Sequence, residues 1–242
     1  MRIEILQQFL QANTSVLRAL DEVIVVTSAL NSTALWNMRK KYDFVRYINI
    51  TENKGFAHTV NIGMRVATGK YIGTCNDDTL LNANTFTMVN DAPANAGALN
   101  PIIKTSDGTV ESAGIRVLPK GKAEPITTLP ATSFTPVDAT NGACVLYARD
   151  ALEKTGLFDE SFGSYLEDID LSLRIKKAGF TNYVYKHANI VHEQHKTSVH
   201  MGSKKQWLDA INWWRIIIKN RHITPEVLFR TYPQPKRCYQ EL

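Results

Sequence analysis

An α/β fold, with a mostly parallel central sheet between helices, is what this sequence predicts, and three observations predict it. Short β-branched runs alternate with stretches of helical period through the first 75 residues, the order that builds parallel strands joined by helices. The first run, Val23-Ile24-Val25-Val26, is apolar on both faces, as a strand covered on both sides must be. The 242 residues, 44% hydrophobic and 21% charged, supply enough apolar material for one large core and exclude disorder as the main state.

The elements follow in order. Residues 1–20 place Ile5, Phe9, Leu10, Val16, Leu17 and Leu20 near helical spacing. A strand at 23–26, a helix at 31–41 and a strand at 45–50 come next. A helix over 56–67 is closed by Gly69, and a strand at 71–75 runs into Asn76, Asp77 and Asp78. Strands are expected at 97–103 and 110–117, with a turn at Asp107 and Gly108 between them. Residues 118–136 hold four prolines and no period, which reads as a functional loop. A strand at 143–147, a helix over 166–178 ended by Gly179 and a last strand at 183–192 complete the domain.

A strongly patterned helix spans 204–219. Trp207, Ile211, Trp214 and Ile218 form its apolar stripe, with Ala210, Trp213 and Ile217 beside it. Lys204, Lys205, Arg215 and Lys219 lie on the other side with Asp209 and Asn212. Two coverings suit such a stripe: packing on the domain or on a second copy through 203–219, or peripheral contact with an anionic membrane. Packing is the commoner use in a chain of this composition. The division expected is a domain at 1–200 and a basic helical extension at 201–242.

Charge and cysteine usage narrow the class. From residue 196 onward nine Lys/Arg stand against three Asp/Glu, so the net +5 belongs to the tail and the preceding residues sum to −1. A nucleic-acid binder carries its basic charge on its folded face, so nucleic acid is not an expected partner. No apolar run approaches the ~20 residues that span a bilayer, and the first residues lack a secretory pattern. Cys75, Cys144 and Cys238 are too far apart for a metal knuckle or a disulfide framework, which points to a reducing, cytoplasmic setting.

Two acidic clusters carry candidate chemistry. Asn76, Asp77 and Asp78 leave the carboxyl end of a buried strand, where open α/β sheets bind ligands. Two carboxylates and an amide there suit a hard divalent cation, and equally suit a turn. Glu167, Asp168 and Asp170 open a helix whose Leu166, Ile169 and Leu173 face inward, with Arg174 four residues beyond Asp170. Acids at a helix N-terminus also complement its dipole. The glycine- and aromatic-rich residues 156–165 before them would deliver the carboxylates to a cleft.

Together these segments resemble the family 2 glycosyltransferases of GT-A fold, in the branch of rhamnosyl- and galactofuranosyltransferase-like enzymes. The resemblance is carried by Asn53-Lys54-Gly55-Phe56-Ala57 with Asn61 and Gly63, and by Ala67-Thr68-Gly69-Lys70-Tyr71-Ile72. It continues through Asn76-Asp77-Asp78 at the DXD position, Asn141-Gly142-Ala143, Gly156-Leu157-Phe158-Asp159-Glu160, Tyr165-Leu166-Glu167-Asp168-Ile169-Asp170-Leu171 with Arg174, and His192. It covers roughly residues 2–200, and the 156–174 block is its most specific part.

The resemblance implies a nucleotide-sugar donor (a UDP- or dTDP-sugar), a glycan or glycolipid acceptor, and Mn²⁺ or Mg²⁺ held by Asp78, Asp77 and His192. Asn76 assists, and a strand-end histidine bonded to backbone is the alternative for His192. Asp168 is implied as general base and Glu167 as its partner or the group that positions the acceptor, with inversion at the anomeric carbon. Asn53, Gly55, Asn61 and Gly142 fall on the donor side; Gly142 would let backbone approach the sugar, and Asn61 would either cap or touch the donor. Two departures fall on base recognition. The family's opening strand is expected to be missing or shortened, and Thr27 stands where the family has a base-contacting Asp. A non-catalytic sugar- or nucleotide-binding module is the competing class. A nucleotidyltransferase would need a Gly-rich phosphate loop near the start, which the sequence lacks.

Overall fold

The computed structural model describes residues 3–28, 30–118, 122–193 and 202–220, with the backbone alone at 202–206. The chain opens with α1 (Ile3–Leu17), whose Leu6, Leu10 and Leu17 are buried together. Next come β1 (Val23–Thr27), α2 (Ser32–Lys41), β2 (Val45–Asn49), α3 (Phe56–Val66) and β3 (Tyr71–Cys75). Asn31 caps α2 by accepting the Ala34 N–H, which satisfies one of the donors that a helix start leaves open. Then follow β4 (Thr79–Leu81), β5 (Ala96–Lys104), β6 (Val110–Ser112), β7 (Ile115–Val117), β8 (Ala123–Pro125), β9 (Phe134–Val137) and β10 (Cys144–Ala148). The chain continues through α4 (Arg149–Thr155), α5 (Glu167–Lys177), β11 (Thr181–His192) and α6 (Gly202–Lys219).

The fold is α/β, as expected, but its central sheet is mixed rather than mostly parallel. The main sheet runs β3-β10-β5-β11-β4. Only β5 and β11 pair parallel within it; β10 is antiparallel to both β3 and β5, and β4 is antiparallel to β11. The strand–helix alternation that predicts parallel pairing holds only up to β3. After it the helical crossovers give way to strands that return from distant parts of the chain, and β10, β4 and β9 each run antiparallel to their partners in the sheet. β11 shares its second edge between two strands: β9 covers Asn182 to Tyr185 and β4 covers Ile190 to His192. β9 carries Pro136, and among the described residues it pairs with β11 alone, the edge position where proline is tolerated.

β1 and β2 form a separate parallel pair. Among the described residues, no strand pairs with the second edge of β1 or of β3. Both edges border one cavity of about 1890 Å³, whose walls include Leu6 and Phe9 of α1 and Val60 and Met64 of α3. This slot runs into the candidate site.

Three expectations on the second half change. The strand expected over 110–117 is two strands, β6 and β7, broken at Gly114 (φ 92°). Residues 118–136 are not one loop: β8 pairs with β7, and β9 belongs to the main sheet. The stripe of α6 points the other way. Trp207 is 70% exposed and Ile218 60%, while Asn212, Ile216 and Ile217 are buried. Ile216 packs with Phe162 and Ile169, so α6 shares a core with the start of α5. The expected boundary at residue 200, the residues of the tail beyond 220, and the side chains of Lys204 and Lys205 lie outside the described residues.

Candidate active site

The sheet itself gathers the first group of residues. β11 ends at His192, which is opposite Thr79 of β4, one residue past Asp78. The Glu193 N–H donates to the Asp78 carbonyl at 2.8 Å and fixes that junction. β6 pairs with the end of β5, and β5 pairs with β11, which carries Glu111 to the same corner. His192 therefore sits between two carboxylates: Nε2 is 3.2 Å from Asp78 Oδ1, and Nδ1 is 3.2 Å from both Glu111 oxygens. Burial pulls the imidazole pKa down, but hydrogen bonds and charge from Asp78 and Glu111 outweigh it and push it up to about 10. Asp77 and Asn76 line the same cavity. The Asn76 N–H is bonded to the Ala143 carbonyl at 2.9 Å.

The second group sits at the start of α5. One Asp168 oxygen accepts the Gly142 N–H at 2.7 Å and the other accepts the Ile169 N–H at 2.8 Å. A Cβ on Gly142 would lie 2.9 Å from Asp168 Oδ2, so glycine here makes room for the carboxylate. That is a more direct reason for this glycine than backbone approach to a sugar. The 141–144 turn is propped from below by buried Asn100, which donates to the Cys144 carbonyl at 2.6 Å and accepts the Asn141 N–H at 2.9 Å. Glu167 is 6% exposed. Burial first, and the neighbouring Asp168 second, push its carboxyl up to about 8. Burial also raises Asp168, but two backbone N–H groups oppose this, so Asp168 is the member of the pair that carries the charge.

Tyr165 (φ 72°) and Leu166 (φ 66°), immediately before these carboxylates, are left-handed without being glycine. Each such residue costs about 1–2 kcal/mol, a strain found where a site over-determines the backbone. Arg174 holds Asp170 at 2.8 Å, as expected, and also donates to the Thr155 and Leu157 carbonyls at 2.7 Å each.

The donor-side residues divide. Thr27 is buried at the cavity wall, and its carbonyl accepts the Ile50 N–H. Asn53 lines the cavity while its Oδ1 accepts the Gly55 N–H at 2.9 Å. Gly55 has φ 110°, and a Cβ there would lie 2.9 Å from the Gly163 carbonyl oxygen. Asn61 is a correction: it is 1% exposed and does not reach the donor side. Its amide donates to the Phe158 carbonyl and to Glu160, and its Oδ1 accepts the Phe158 N–H, so it ties α3 to the 158–160 turn.

Known proteins match this arrangement. The family model described as Glycosyl transferase family 2 matches residues 4–155, more than half of the chain. The chain belongs to glycosyl transferase family 2. The matched region stops before α5, so the carboxylates of this family 2 member rest on their own geometry. An N-acetylglucosaminyl-diphospho-decaprenol L-rhamnosyltransferase of Mycobacterium tuberculosis is 32% identical over 116 residues, 41% of this chain and 38% of that protein. An uncharacterized protein of the same organism is 28% identical over 163 residues, 64% of this chain and 60% of that one. The chain thus matches less than two thirds of the length of either relative.

Solved structures share the GT-A fold. GalNAc-T7 with UDP, GalNAc and Mn²⁺ superposes with TM-score 0.68 at 13% identity, over 90% of this chain and 47% of that one. The mannosyltransferase PcManGT of Pyrobaculum calidifontis, with GDP-Man and Mn²⁺, gives 0.63 at 18% identity, over 91% and 63%.

Of the residues expected at the site, the fold brings all but Asn61 to one cavity: Thr27, Asn53, Gly55, Asn76, Asp77, Asp78, Gly142, Glu167, Asp168 and His192. Glu111 lines it too and was not foreseen. Its only signal is an acid between Val110 and Ser112 in a short strand, which reads as a solvent-facing residue until the partner strand is known.

Proposed function

We propose that this protein transfers a sugar, with inversion, from a nucleoside-diphosphate donor such as a UDP- or dTDP-sugar to a hydroxyl of a glycan or glycolipid acceptor. One observation supports it above the rest: the carboxyl groups of Asp168 and Glu167 share the cavity wall with Asp78 and His192. One relative named above is an N-acetylglucosaminyl-diphospho-decaprenol L-rhamnosyltransferase, and both solved neighbours hold a nucleotide, a sugar and Mn²⁺, which agrees with this reading.

The carboxylate oxygens of Asp77 and Asp78 are hard donors that would hold Mn²⁺ or Mg²⁺, and the imidazole of His192 would join them once Nε2 gives up the proton it shares with Asp78. When bound, such an ion supplies Lewis-acid neutralisation of the departing diphosphate. The rest is done by the chain. Asn53 and Thr27 line the side where the nucleotide enters. Asp168 accepts the proton of the acceptor hydroxyl as that oxygen attacks the anomeric carbon. Its own backbone donors keep it ionised and aimed. Glu167, protonated, donates a hydrogen bond to the acceptor and does not compete as base. A single displacement inverts the anomeric centre.

The test is a panel of UDP- and dTDP-sugars with Mn²⁺, scored for donor hydrolysis in wild type and Asp168→Asn. We expect nucleotide affinity within about twofold and turnover lower by ~10²–10⁴-fold, the usual cost of losing a general base. An Asn variant that turns over at the wild-type rate removes Asp168 from the role. Metal-dependent binding of a donor without any turnover in wild type supports the non-catalytic module instead.

A further inference from the structure

The loop that presents the two carboxylates is held from two sides: by the start of α3, where the Ala57 N–H donates to the Gly163 carbonyl at 2.9 Å and the Phe56 N–H to Ser164 Oγ at 3.3 Å, and by one amide on α6. Asn212 is completely buried. Its Nδ2 donates to three carbonyls of that loop: Phe162 at 2.9 Å, Ser164 at 3.0 Å and Tyr165 at 2.8 Å. Arg215, one turn along α6, donates to Asn212 Oδ1 at 2.6 Å, which orients the amide with its N–H groups toward the loop. The bonded carbonyls lie just before and within the left-handed pair Tyr165 and Leu166, and Glu167 and Asp168 follow at once. Two further contacts bracket the same segment. Ile216 packs on Phe162 and Ile169, and Lys219 pairs with Asp159 and Asp170 at 2.7 Å each.

We infer that Asn212 is a positioning residue of the reaction: through the 162–166 backbone it holds Asp168 at the angle from which it takes the acceptor proton. This rests on Asp168 being the base. The chemistry is simple. Two consecutive L-residues do not stay left-handed unaided, and the turn they make leaves the carbonyls of Phe162, Ser164 and Tyr165 in need of donors, the Leu166 carbonyl being bonded by the Asp170 N–H of α5. Asn212 supplies both requirements with one rigid group. A buried polar residue on an otherwise apolar helix face is retained there because it bonds backbone and not because it packs.

The test uses Asn212→Asp, which keeps the shape and removes both N–H donors, alongside Asn212→Ala. Three readouts are taken on the full chain: hydrogen exchange of the 162–168 amides, affinity for UDP and dTDP with Mn²⁺, and kcat and KM for hydrolysis of the corresponding sugar donors. The role predicts exchange at least tenfold faster in 162–168 and unchanged in β5. It also predicts nucleotide affinity within twofold and kcat at least tenfold lower at nearly constant KM. Unchanged exchange in both variants overturns the inference, and so does faster exchange with an unchanged kcat. Exchange rising everywhere, with affinity and kcat lost together, overturns it as well, since that describes a fold support only. A wild type that neither binds nor hydrolyses any donor overturns the proposed function, and this role with it.

Discussion

Glu167 and Asp168 are neighbours in the chain to which we assign opposite tasks, and their surroundings separate them. Two carboxylates this close cannot both ionise cheaply. Asp168 receives two backbone N–H bonds and takes the charge, while Glu167 is buried and stays protonated up to about 8. An unfolded Glu ionises above its ordinary 4.5, so between 4.5 and about 8 the folded state binds the extra proton. The stability tied to Glu167 is complete below 4.5 and is lost as pH rises through about 8. Glu167→Gln, always neutral, should flatten the fall of the melting temperature between pH 5 and 9. Parallel curves for wild type and variant would mean that Glu167 is not the buried acid. Glu111 makes a second case. It accepts from His192 Nδ1 and so turns Nε2 toward Asp78. Removing such an outer partner typically costs 10–100-fold in metal affinity, so Glu111→Ala should weaken Mn²⁺ binding by that factor in calorimetry. Equal affinity in the variant would make Glu111 a bystander. At this scale the sequence was a good guide to the consecutive residues 76–78 and 167–168, which the fold brings to one cavity. The resemblance supplied His192, but nothing in the sequence supplied its partner Glu111, because the two are 81 positions apart and meet only through β6, β5 and β11.

Elements show the same division. α1, α2, α3 and α5 were legible because each has one apolar face of helical period against a sheet. β4 has three residues and α4 seven, too short for either period to declare itself. β8 and β9 were hidden inside a proline-rich stretch, since their strand character comes from partners elsewhere. α6 misled in an instructive way. Its apolar stripe was visible, but the helix docks through Asn212, Ile216 and Ile217, because the loop it meets offers carbonyls and carboxylates as well as a core. The stripe of Trp207, Ile211 and Ile218 is left exposed; no helix among the described residues is long and apolar enough to cross a membrane. Ending the chain at residue 201 would remove two buried isoleucines worth ~1.5–3 kcal/mol each and strip Lys219 from the buried Asp170. The melting temperature should fall by about 10 °C or more, at the ~2–4 °C per kcal/mol usual for a domain of this size. A truncated protein that melts with the wild type would show that α6 does not hold the domain.

On the scale of the whole molecule, Asp78 and His192 sit at the main sheet and Asp168 at the start of α5 bonded to Gly142, whereas Thr27 sits on the separate β1–β2 pair across the apolar slot. The backbone of this slot can be read residue by residue. The Thr27 carbonyl accepts the Ile50 N–H, so the polar groups of Val23, Val25 and Thr27 face β2, and by alternation those of Ile24 and Val26 face the slot. The Asn76 N–H donates to Ala143, so Ile72 and Thr74 face β10, and Gly73 and Cys75 face the slot. Among the described residues, nothing pairs with these four amides. They should exchange with solvent orders of magnitude faster than those of β5, whose central residues Ala98, Leu99, Ile102 and Ile103 are fully buried and open only with the whole domain. Slow exchange at Ile24 and Val26 would mean that the slot is closed in solution. The nucleotide adds a second arm to the measurement. If the base lies against Thr27, UDP or dTDP with Mn²⁺ should join the two sheets and slow exchange in β1 as well as at residues 76–78. Protection confined to 76–78 would place the base away from β1, with the diphosphate alone holding the donor.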